Sequence, residues 1–270
     1  FDGCVRRVDE DAVLADITQL VAAGARHITF GDPDFLNAPP HTLRIVRAMH
    51  DRFPEITFDC TVKVEHVLRH ADVWPGFSAA GCVFVVSAFE SVDDAMLTRL
   101  DKGHTATDAA RAVAILRDAG IEVRPSWLPF TPWTTRDDVV ALLDFVYEHD
   151  LVGSVDPVQY SVRLLLPEGS LLLDHPDLAA FLGPWDPERS TYSWTHADPA
   201  VDELQQHIAA LIDSDVSNGG GDAVELYARV RDAAGAPAVD LSRVTTGRPR
   251  LTESWFCCAE PTELQLRAIT

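Results

Sequence analysis

The feature that most constrains the fold is a regular alternation of apolar strand segments with amphipathic helices. Successive strand segments begin 27 to 40 residues apart, which leaves room for a helix and a right-handed crossover between parallel strands. The segments begin near Ile28, Ile56, Val83, Val123 and Val158. Nearly continuous β-branched runs indicate a sheet that is covered on both faces. The pattern therefore predicts an α/β fold with a parallel sheet and helices outside it.

The periodicity changes at about residue 182, where Pro and Trp become frequent. Residues 1–182 are predicted to form a (β/α) unit of six or more strands, open or barrel-like. Residues 183–270 are predicted to form a helical extension that ends in a tail without clear periodicity. The first element is a helix between the N-cap Asp9 and the C-cap Gly24, so a further strand is expected at or upstream of Phe1.

Each predicted strand ends in a polar or glycine-rich segment. Ligands gather at the carboxyl ends of parallel strands. Carboxylates there accept hydrogen bonds from an ammonium group or from ribose hydroxyls, and a basic side chain neutralises a ligand carboxylate. With no GxxxxGK[ST] or GxGxxG motif, the set suits a zwitterionic nucleoside-like ligand better than a polyphosphate. The candidate residues are Gly31, Asp32, Asp34, Thr61, Lys63, Glu65, Glu90, Ser91 and Arg163.

Charge and cysteine content exclude several classes of protein. A net charge of -20 argues against nucleic acid or an anionic membrane surface as the partner. Five cysteines in 270 residues do not make a disulfide framework, and Cys60 and Cys82 lie in apolar strands, as core residues do. No run approaches the ~20 apolar residues of a membrane span, and no signal peptide is present. A cytoplasmic, reducing location is expected.

Three strand-end motifs and the C-terminal tail resemble those of a known family. ITFGDPDF, VSAFES with LTRLDKGHT, and PVQYSVRLLLPEGS resemble the radical S-adenosylmethionine (SAM) enzymes, and WFCCAEP resembles a subgroup named for a CCAEP or selenocysteine-CAEP ending. The resemblance implies a partial (β/α)6 barrel. It also implies SAM and a 4Fe–4S cluster as cofactors, with reductive cleavage of SAM to a 5′-deoxyadenosyl radical that abstracts hydrogen from a substrate. A donor such as ferredoxin or flavodoxin would supply the electron.

The resemblance also assigns positions to the candidate residues. Gly31, Asp32 and Asp34 match the motif near the SAM amino group. Glu90 and Ser91 match the motif near the SAM ribose and carboxylate. Gln159 follows the sixth family strand, near the adenine, whereas Thr61, Lys63 and Glu65 lie at the rim without an assigned role. The substrate, a small molecule or a peptide, is left open.

The chain departs from the family pattern in its cysteines. The CxxxCxxC motif that holds the cluster is absent, and Cys4 has no cysteine three, four or seven positions away. No residue is therefore assigned as a metal ligand. Because the chain begins with Phe1, the ligands are expected upstream of it, and the chain as given is expected to be an inactive fragment of the full-length enzyme. A degenerate homologue that has lost the cluster is the alternative.

Cys257 and Cys258 are the candidate catalytic pair of the tail. They are read either as incidental thiols of a docked tail or as a redox or substrate-attachment pair. His104 is expected in a surface loop or as a helix cap, with Thr105 capping the next helix. Two other functions stay open: a SAM- or nucleoside-binding partner subunit without a cluster, and a metal-independent barrel enzyme that uses Asp32 or Glu90 as acid or base.

Overall fold

The structure, a computed structural model, describes residues 5–217 and 220–249. These residues divide into two compact units. The first unit contains residues 5–89, 104–125 and 248–249, and the second contains residues 90–103, 126–217 and 220–247. Both units draw on the strand-helix alternation, so the predicted boundary at residue 182 stays a prediction.

A four-stranded sheet organises the first unit. Its strands are β1 (His27–Phe30), β2 (Thr57–Thr61), β3 (Cys82–Glu90) and β4 (Glu122–Trp127), in the order β1-β2-β3-β4. β1 pairs with β2 in parallel, and β2 pairs with β3 in parallel. Spatial order equals chain order, as in (β/α) barrels, whereas a doubly wound sheet reverses its order at a switch point. The predicted α/β fold class is confirmed.

Helices occupy the segments between the strands, as the periodicity predicts. The described helices are α1 (Glu10–Ala22), α2 (Pro39–Arg52), α3 (Val64–Arg69), α4 (Trp74–Ala79), α5 (Asp94–Arg99), α6 (Ala106–Asp118), α7 (Arg136–Glu148), α8 (Pro199–Ser217) and α9 (Ala223–Ala234). The Asp9 carboxylate accepts the Asp11 amide at the start of α1, and Gly24 follows the helix with a φ of 104°. The predicted N-cap is therefore confirmed, whereas the C-cap is Ala23 and the predicted Gly24 is the residue after it.

The core of the first unit forms where the strands meet the helices. Val46 and Met49 of α2, Phe58 of β2, Val85 of β3 and Phe77 of α4 are completely buried. Apolar side chains recur three and four residues apart on the helices and at alternate positions on the strands, so each element presents one apolar face. This packing fixes the ends of β1 and β2, where the candidate carboxylates lie.

The predicted fifth strand is wrong. Its start forms a 3-10 helix over Pro157–Tyr160, and only Arg163 joins Phe130 in an isolated parallel bridge. Pro157 has no amide to donate to a ladder, and the Gln159 side chain accepts the Trp127 amide that a neighbouring strand would have bonded (2.8 Å). The second unit instead contains an antiparallel hairpin, β5 (Leu182–Asp186) and β6 (Thr191–Trp194), that sequence analysis did not predict.

The second unit has its own apolar core. It is lined by Leu128, Val162, Leu164, Leu166, Leu178 and Trp194. Helix α7 begins with a capping box between Thr135 and Asp138, and α8 and α9 follow the hairpin. Within the described ranges, no helix combines the length and the apolar character that a membrane span requires.

Candidate functional site

The GDPD segment forms a turn directly after β1, and its two carboxylates have different surroundings. Asp32 is exposed, and its Oδ1 accepts the Asp34 backbone amide at 2.9 Å. This bond is an Asx-type contact, which shapes a turn. Asp34 follows at the N-terminus of the 3-10 helix Phe35–Asn37 and is 2% exposed. The turn therefore presents Asp32 to solvent and places Asp34 in the interior.

The Asp34 carboxylate is buried without a completed hydrogen bond. His66 Nδ1 lies 2.7 Å from its Oδ2, and Lys63 Nζ lies 4.0 Å from the same atom. The histidine contact lacks hydrogen-bond geometry, and neither Asp34 oxygen accepts a well-formed hydrogen bond from the described residues. Burial raises the pKa of the Asp34 carboxyl, and the nearby His66 and Lys63 side chains and the backbone amides of Lys63 and Leu36 oppose that rise, although neither amide meets hydrogen-bond geometry. Burying a carboxylate without hydrogen-bond donors costs free energy, so a donor from a ligand would stabilise Asp34.

The residues that follow β2 form the other wall of this carboxylate site. Thr61 ends β2 and is half-buried, and Lys63 is the N-cap residue of α3. The Lys63 side chain is 63% exposed, so only its ammonium end approaches Asp34. Glu65 forms an ion pair with Arg69 one turn along α3. Lys63 therefore belongs to the Asp34 cluster, whereas Glu65 is engaged on the helix surface.

Gly31 does not need its conformational freedom at the end of β1. Its φ is not positive, and a Cβ placed on it would meet nothing within 4 Å. The open space leaves room for a ligand beside the turn, but the backbone would accept another residue. Its predicted role, which depends on close backbone approach, stays a prediction.

Sequence analysis missed a polar cluster on β1 and β2. The buried Asp59 Oδ1 accepts hydrogen bonds from His27 Nε2 (2.7 Å) and from Thr29 Oγ1 (2.7 Å), and His27 Nδ1 lies 2.8 Å from Thr57 Oγ1. Residues 27, 29, 57 and 59 alternate along two paired strands, so they share one face of the sheet. That period-two pattern was the available signal. His27 and Thr57 begin their strands, the end of a barrel at which polar contacts stabilise the fold.

In the second unit, Glu90 is held in an unusual conformation. Its φ is 63°, in the left-handed region that residues other than glycine rarely adopt. Its carboxylate lies 2.6 Å from Lys102 Nζ, and its carbonyl accepts the Leu128 amide at 2.9 Å. Left-handed residues outside glycine concentrate at functional sites. Glu90 therefore remains a candidate, with Lys102 of the DKGHT motif as its partner.

The neighbours of Glu90 mainly order the surrounding loops. Ser91 Oγ accepts the Asp93 amide at 3.0 Å, and the Asp93 side chain caps α5. In the first unit, His104 is buried with Nε2 3.3 Å from the Phe89 carbonyl. Thr105 forms a capping box at the start of α6. The expected Thr105 cap is confirmed, whereas the expected surface-loop or cap position of His104 is wrong, because its ring is buried against the Phe89 carbonyl.

Gln159 and Arg163 are engaged by protein groups in the second unit. Gln159 is buried and accepts the Trp127 amide through its side chain. Arg163 Nη1 donates to Asp202 at 2.6 Å, and its guanidinium lies 3.5 Å from the centre of the Trp194 ring. These contacts give both residues a structural role. Their predicted contact with a ligand is untested.

The described residues do not fit an iron–sulfur cluster. They contain no group of three or more His, Cys, Asp or Glu side chains placed to hold a metal. Cys60 and Cys82, the described cysteines, are buried as the sequence predicts, and burial raises the pKa of the Cys60 thiol well above its usual range. A metal requires the thiolate, so this pair is unsuited. Cys4, Cys257 and Cys258 lie outside the described residues.

Comparisons with known proteins identify a similar fold. No protein-family model and no curated protein matches the chain. Among solved structures, it is similar to the cobalamin-dependent S-adenosylmethionine radical enzyme OxsB with aqua-cobalamin bound, with a TM-score of 0.66, 17% identity, and coverage of 78% of this chain and 38% of that one. The OxsB structure with S-adenosylmethionine also bound gives a TM-score of 0.66 at 16% identity, with the same coverage of the two chains.

The likeness to OxsB shows that this chain has an α/β fold similar to part of the OxsB fold. It spans 38% of the OxsB chain, so OxsB contains a large part that has no counterpart here. At 17% identity the likeness concerns the fold alone. The activity must therefore be argued from the residues of this chain.

Proposed function

We propose that this chain is the SAM-binding barrel of a radical SAM enzyme, which cleaves SAM reductively to a 5′-deoxyadenosyl radical for hydrogen abstraction from a substrate. The observation that carries the proposal is the buried Asp34 carboxylate, which accepts no completed hydrogen bond from the described residues. It follows a strand of a fold that OxsB shares. The α-amino group of SAM is a hydrogen-bond donor that would complete this carboxylate, and the negative charge of Asp34 strengthens such a bond.

The proposal gives the first-unit residues separate roles. Asp34 would accept a hydrogen bond from the SAM amino group, Asp32 would hold the turn that buries Asp34, and Lys63 would moderate the negative charge. Thr61 offers a hydroxyl at the same end of the sheet. Glu90, Ser91 and Gln159 belong to the second unit, and the SAM contacts that their motif positions imply stay predictions. These assignments follow from motif positions and from the local contacts of each residue.

The cluster ligands of this proposal must lie outside the described residues. No chemical step at a cluster is derived from the residues described. The iron content of the protein purified from its natural source, without oxygen, tests this point. About four irons per chain support the radical enzyme. Binding of SAM by an iron-free native protein would favour the alternative, a SAM-binding partner subunit without a cluster.

Cys257 and Cys258 are proposed to act after SAM cleavage, on the substrate or product. Adjacent thiols can form a strained, reducible disulfide or carry a covalent intermediate. Serine at both positions should leave 5′-deoxyadenosine formation intact and abolish product formation. Unchanged product formation would remove the tail from the mechanism.

The binding role of Asp34 is tested with Asp34→Asn. Replacing the carboxylate by an amide removes a charge-assisted hydrogen bond, so SAM affinity should fall by roughly 10- to 100-fold in calorimetric titration. Asp51→Asn makes the same chemical change at an exposed residue of α2 and is the matched control. Equal affinity of the Asp34→Asn and Asp51→Asn proteins would contradict the proposal.

A further inference from the structure

The sheet of the first unit has one face toward the helices and one inner face. The centre of the Phe58 ring lies 5.9 Å from that of Phe77 in α4 and 5.6 Å from that of Phe30, so Phe30 and Phe58 belong to the face that the helices cover. Successive side chains of a strand point to opposite faces. Thr29, which precedes Phe30, and Asp59, which follows Phe58, therefore lie together on the inner face, where their side chains are hydrogen-bonded.

One oxygen of the Asp59 carboxylate is left without a hydrogen bond. Oδ1 accepts hydrogen bonds from His27 Nε2 and from Thr29 Oγ1, each at 2.7 Å, and the Asp59 side chain is 2% exposed. Oδ2 accepts no hydrogen bond from residues 5–217 or 220–249, and it is not completely enclosed. Because a carboxylate buried to this extent normally has its oxygens hydrogen-bonded, Asp59 Oδ2 indicates a place for a donor from a ligand.

The Thr61 hydroxyl is a second unused polar group on the inner face. Thr61 follows Asp59 by two residues, so the two side chains point the same way, and Thr61 is half-buried. Its hydroxyl makes no hydrogen bond with any group in the described part of the chain. Thr29, opposite Asp59, is exposed, and its oxygen can still accept a hydrogen bond after donating to Asp59. Val86, opposite Thr61 and half-buried, adds an apolar contact.

Residues nearer the start of the strands hold Asp59 in this orientation. His27 Nδ1 lies 2.8 Å from Thr57 Oγ1, and the His27 ring stacks on Phe84, with ring centres 5.9 Å apart. Phe84 is the register partner of Asp59 on β3. The unused polar groups thus lie from the middle of the strands to their carboxyl ends, the end at which Asp34 follows β1 and at which barrels bind their ligands.

We propose that Thr29, Asp59 and Thr61 form the substrate site, and that it takes a polyhydroxylated molecule with two neighbouring hydroxyl groups. This inference rests on the proposed function, because it takes the site to hold the molecule from which hydrogen is abstracted. One ligand hydroxyl donates to Asp59 Oδ2, and its neighbour exchanges a hydrogen bond with the Thr61 hydroxyl. An ammonium group has no lone pair to accept from Thr61, and an ionised carboxylate or phosphate has no hydrogen to donate to Asp59.

The test is a ligand-observed NMR titration of the full chain with three probes built on the same ring. cis-1,2-Cyclohexanediol carries two neighbouring hydroxyls, cyclohexanol carries one, and cyclohexylamine carries an ammonium group. The diol should bind roughly 5- to 10-fold more tightly than cyclohexanol, the ratio expected for one additional hydrogen bond.

Two variants with matched controls assign the binding to the inner face. Thr61→Val keeps a β-branched side chain suited to a strand and should remove the advantage of the diol over cyclohexanol. Asp59→Asn keeps an oxygen for the two existing hydrogen bonds but removes the charge, so it should weaken binding of both alcohols by roughly 10-fold. Thr107→Val and Asp51→Asn, the same changes at exposed positions of α6 and α2, should bind both alcohols as wild type does.

SAM itself carries neighbouring ribose hydroxyls, so the titration is repeated with saturating SAM. Diol binding that persists beside SAM supports a substrate site. Displacement of the diol by SAM would mean that these residues bind the ribose, and this result overturns the inference.

The remaining outcomes separate this inference from the function on which it rests. Equal binding of the diol and cyclohexanol, or equal binding of the diol by wild type and Thr61→Val, overturns the diol site. Cyclohexylamine that binds more tightly than the diol and is lost in Asp59→Asn overturns it as well. An absence of SAM binding, with diol binding that still depends on Asp59 and Thr61, overturns the proposed function and retains the diol site.

Discussion

At the scale of single residues, the GDPD motif shows how one sequence pattern produces two different carboxylates. Asp32 accepts the Asp34 amide and closes the turn, whereas Asp34 is left buried beside His66 and Lys63. The pattern placed both carboxylates at a strand end, which is correct. It could not show which one would be buried, because that depends on the neighbouring strand and on α3. Sequence analysis did not select His66 as a candidate residue.

Glu90 provides a test of backbone strain. A residue with a Cβ in the left-handed region costs roughly 1–2 kcal/mol, a cost that glycine avoids. Glu90→Gly and Glu90→Ala both remove the carboxylate that pairs with Lys102, so they differ mainly in the backbone. Glu90→Gly should be more stable than Glu90→Ala by about 1 kcal/mol in urea unfolding.

A helix position serves as the control, because glycine is expected to lower the stability there and to raise it at position 90. Ala95→Gly, at an exposed position of α5, should lose about 1 kcal/mol. If Glu90→Ala proves as stable as Glu90→Gly, position 90 is not strained, and one argument for its functional role is lost.

At the scale of elements, β1 and β2 carry a polar network that stabilises the sheet. Asp59 is 1% exposed and accepts hydrogen bonds from His27 and Thr29. Asp59→Ala should lower the free energy of unfolding by about 2–3 kcal/mol, since it removes two hydrogen bonds to a buried carboxylate. Urea unfolding measures this loss. Thr29→Val removes a single bond and should cost about 1 kcal/mol. A loss below about 0.5 kcal/mol for Asp59→Ala, typical of surface positions, would show that the network contributes little.

The elements also show which local structures can be predicted from the sequence and which cannot. The helix caps at Asp9 and Thr105 follow from local chemistry and were predicted correctly. The hairpin of β5 and β6 was not, because Gly183 and Pro184 argue against a strand. The prediction of the fifth strand was wrong because apolar periodicity does not show that the Gln159 side chain, instead of a strand carbonyl, accepts the Trp127 amide.

At the scale of the whole molecule, strand-helix alternation predicts the fold class, but the fold class does not determine the activity. Strand-helix alternation specified the α/β class, which the likeness to OxsB supports over 78% of the chain. The same fold hosts many chemistries, so function must come from residues. Asp34 and its neighbours are argued from contacts in the first unit. Cluster ligands and the Cys257–Cys258 pair depend on chain outside the described residues.

Formation of 5′-deoxyadenosine tests the central claim most directly. The assay uses the protein purified from its natural source without oxygen, incubated with SAM and a strong reductant. The account predicts 5′-deoxyadenosine that depends on both protein and reductant, and that falls strongly with Asp34→Asn but not with Asp51→Asn. Iron-replete protein that binds SAM and releases no 5′-deoxyadenosine would contradict the assignment as a radical SAM enzyme.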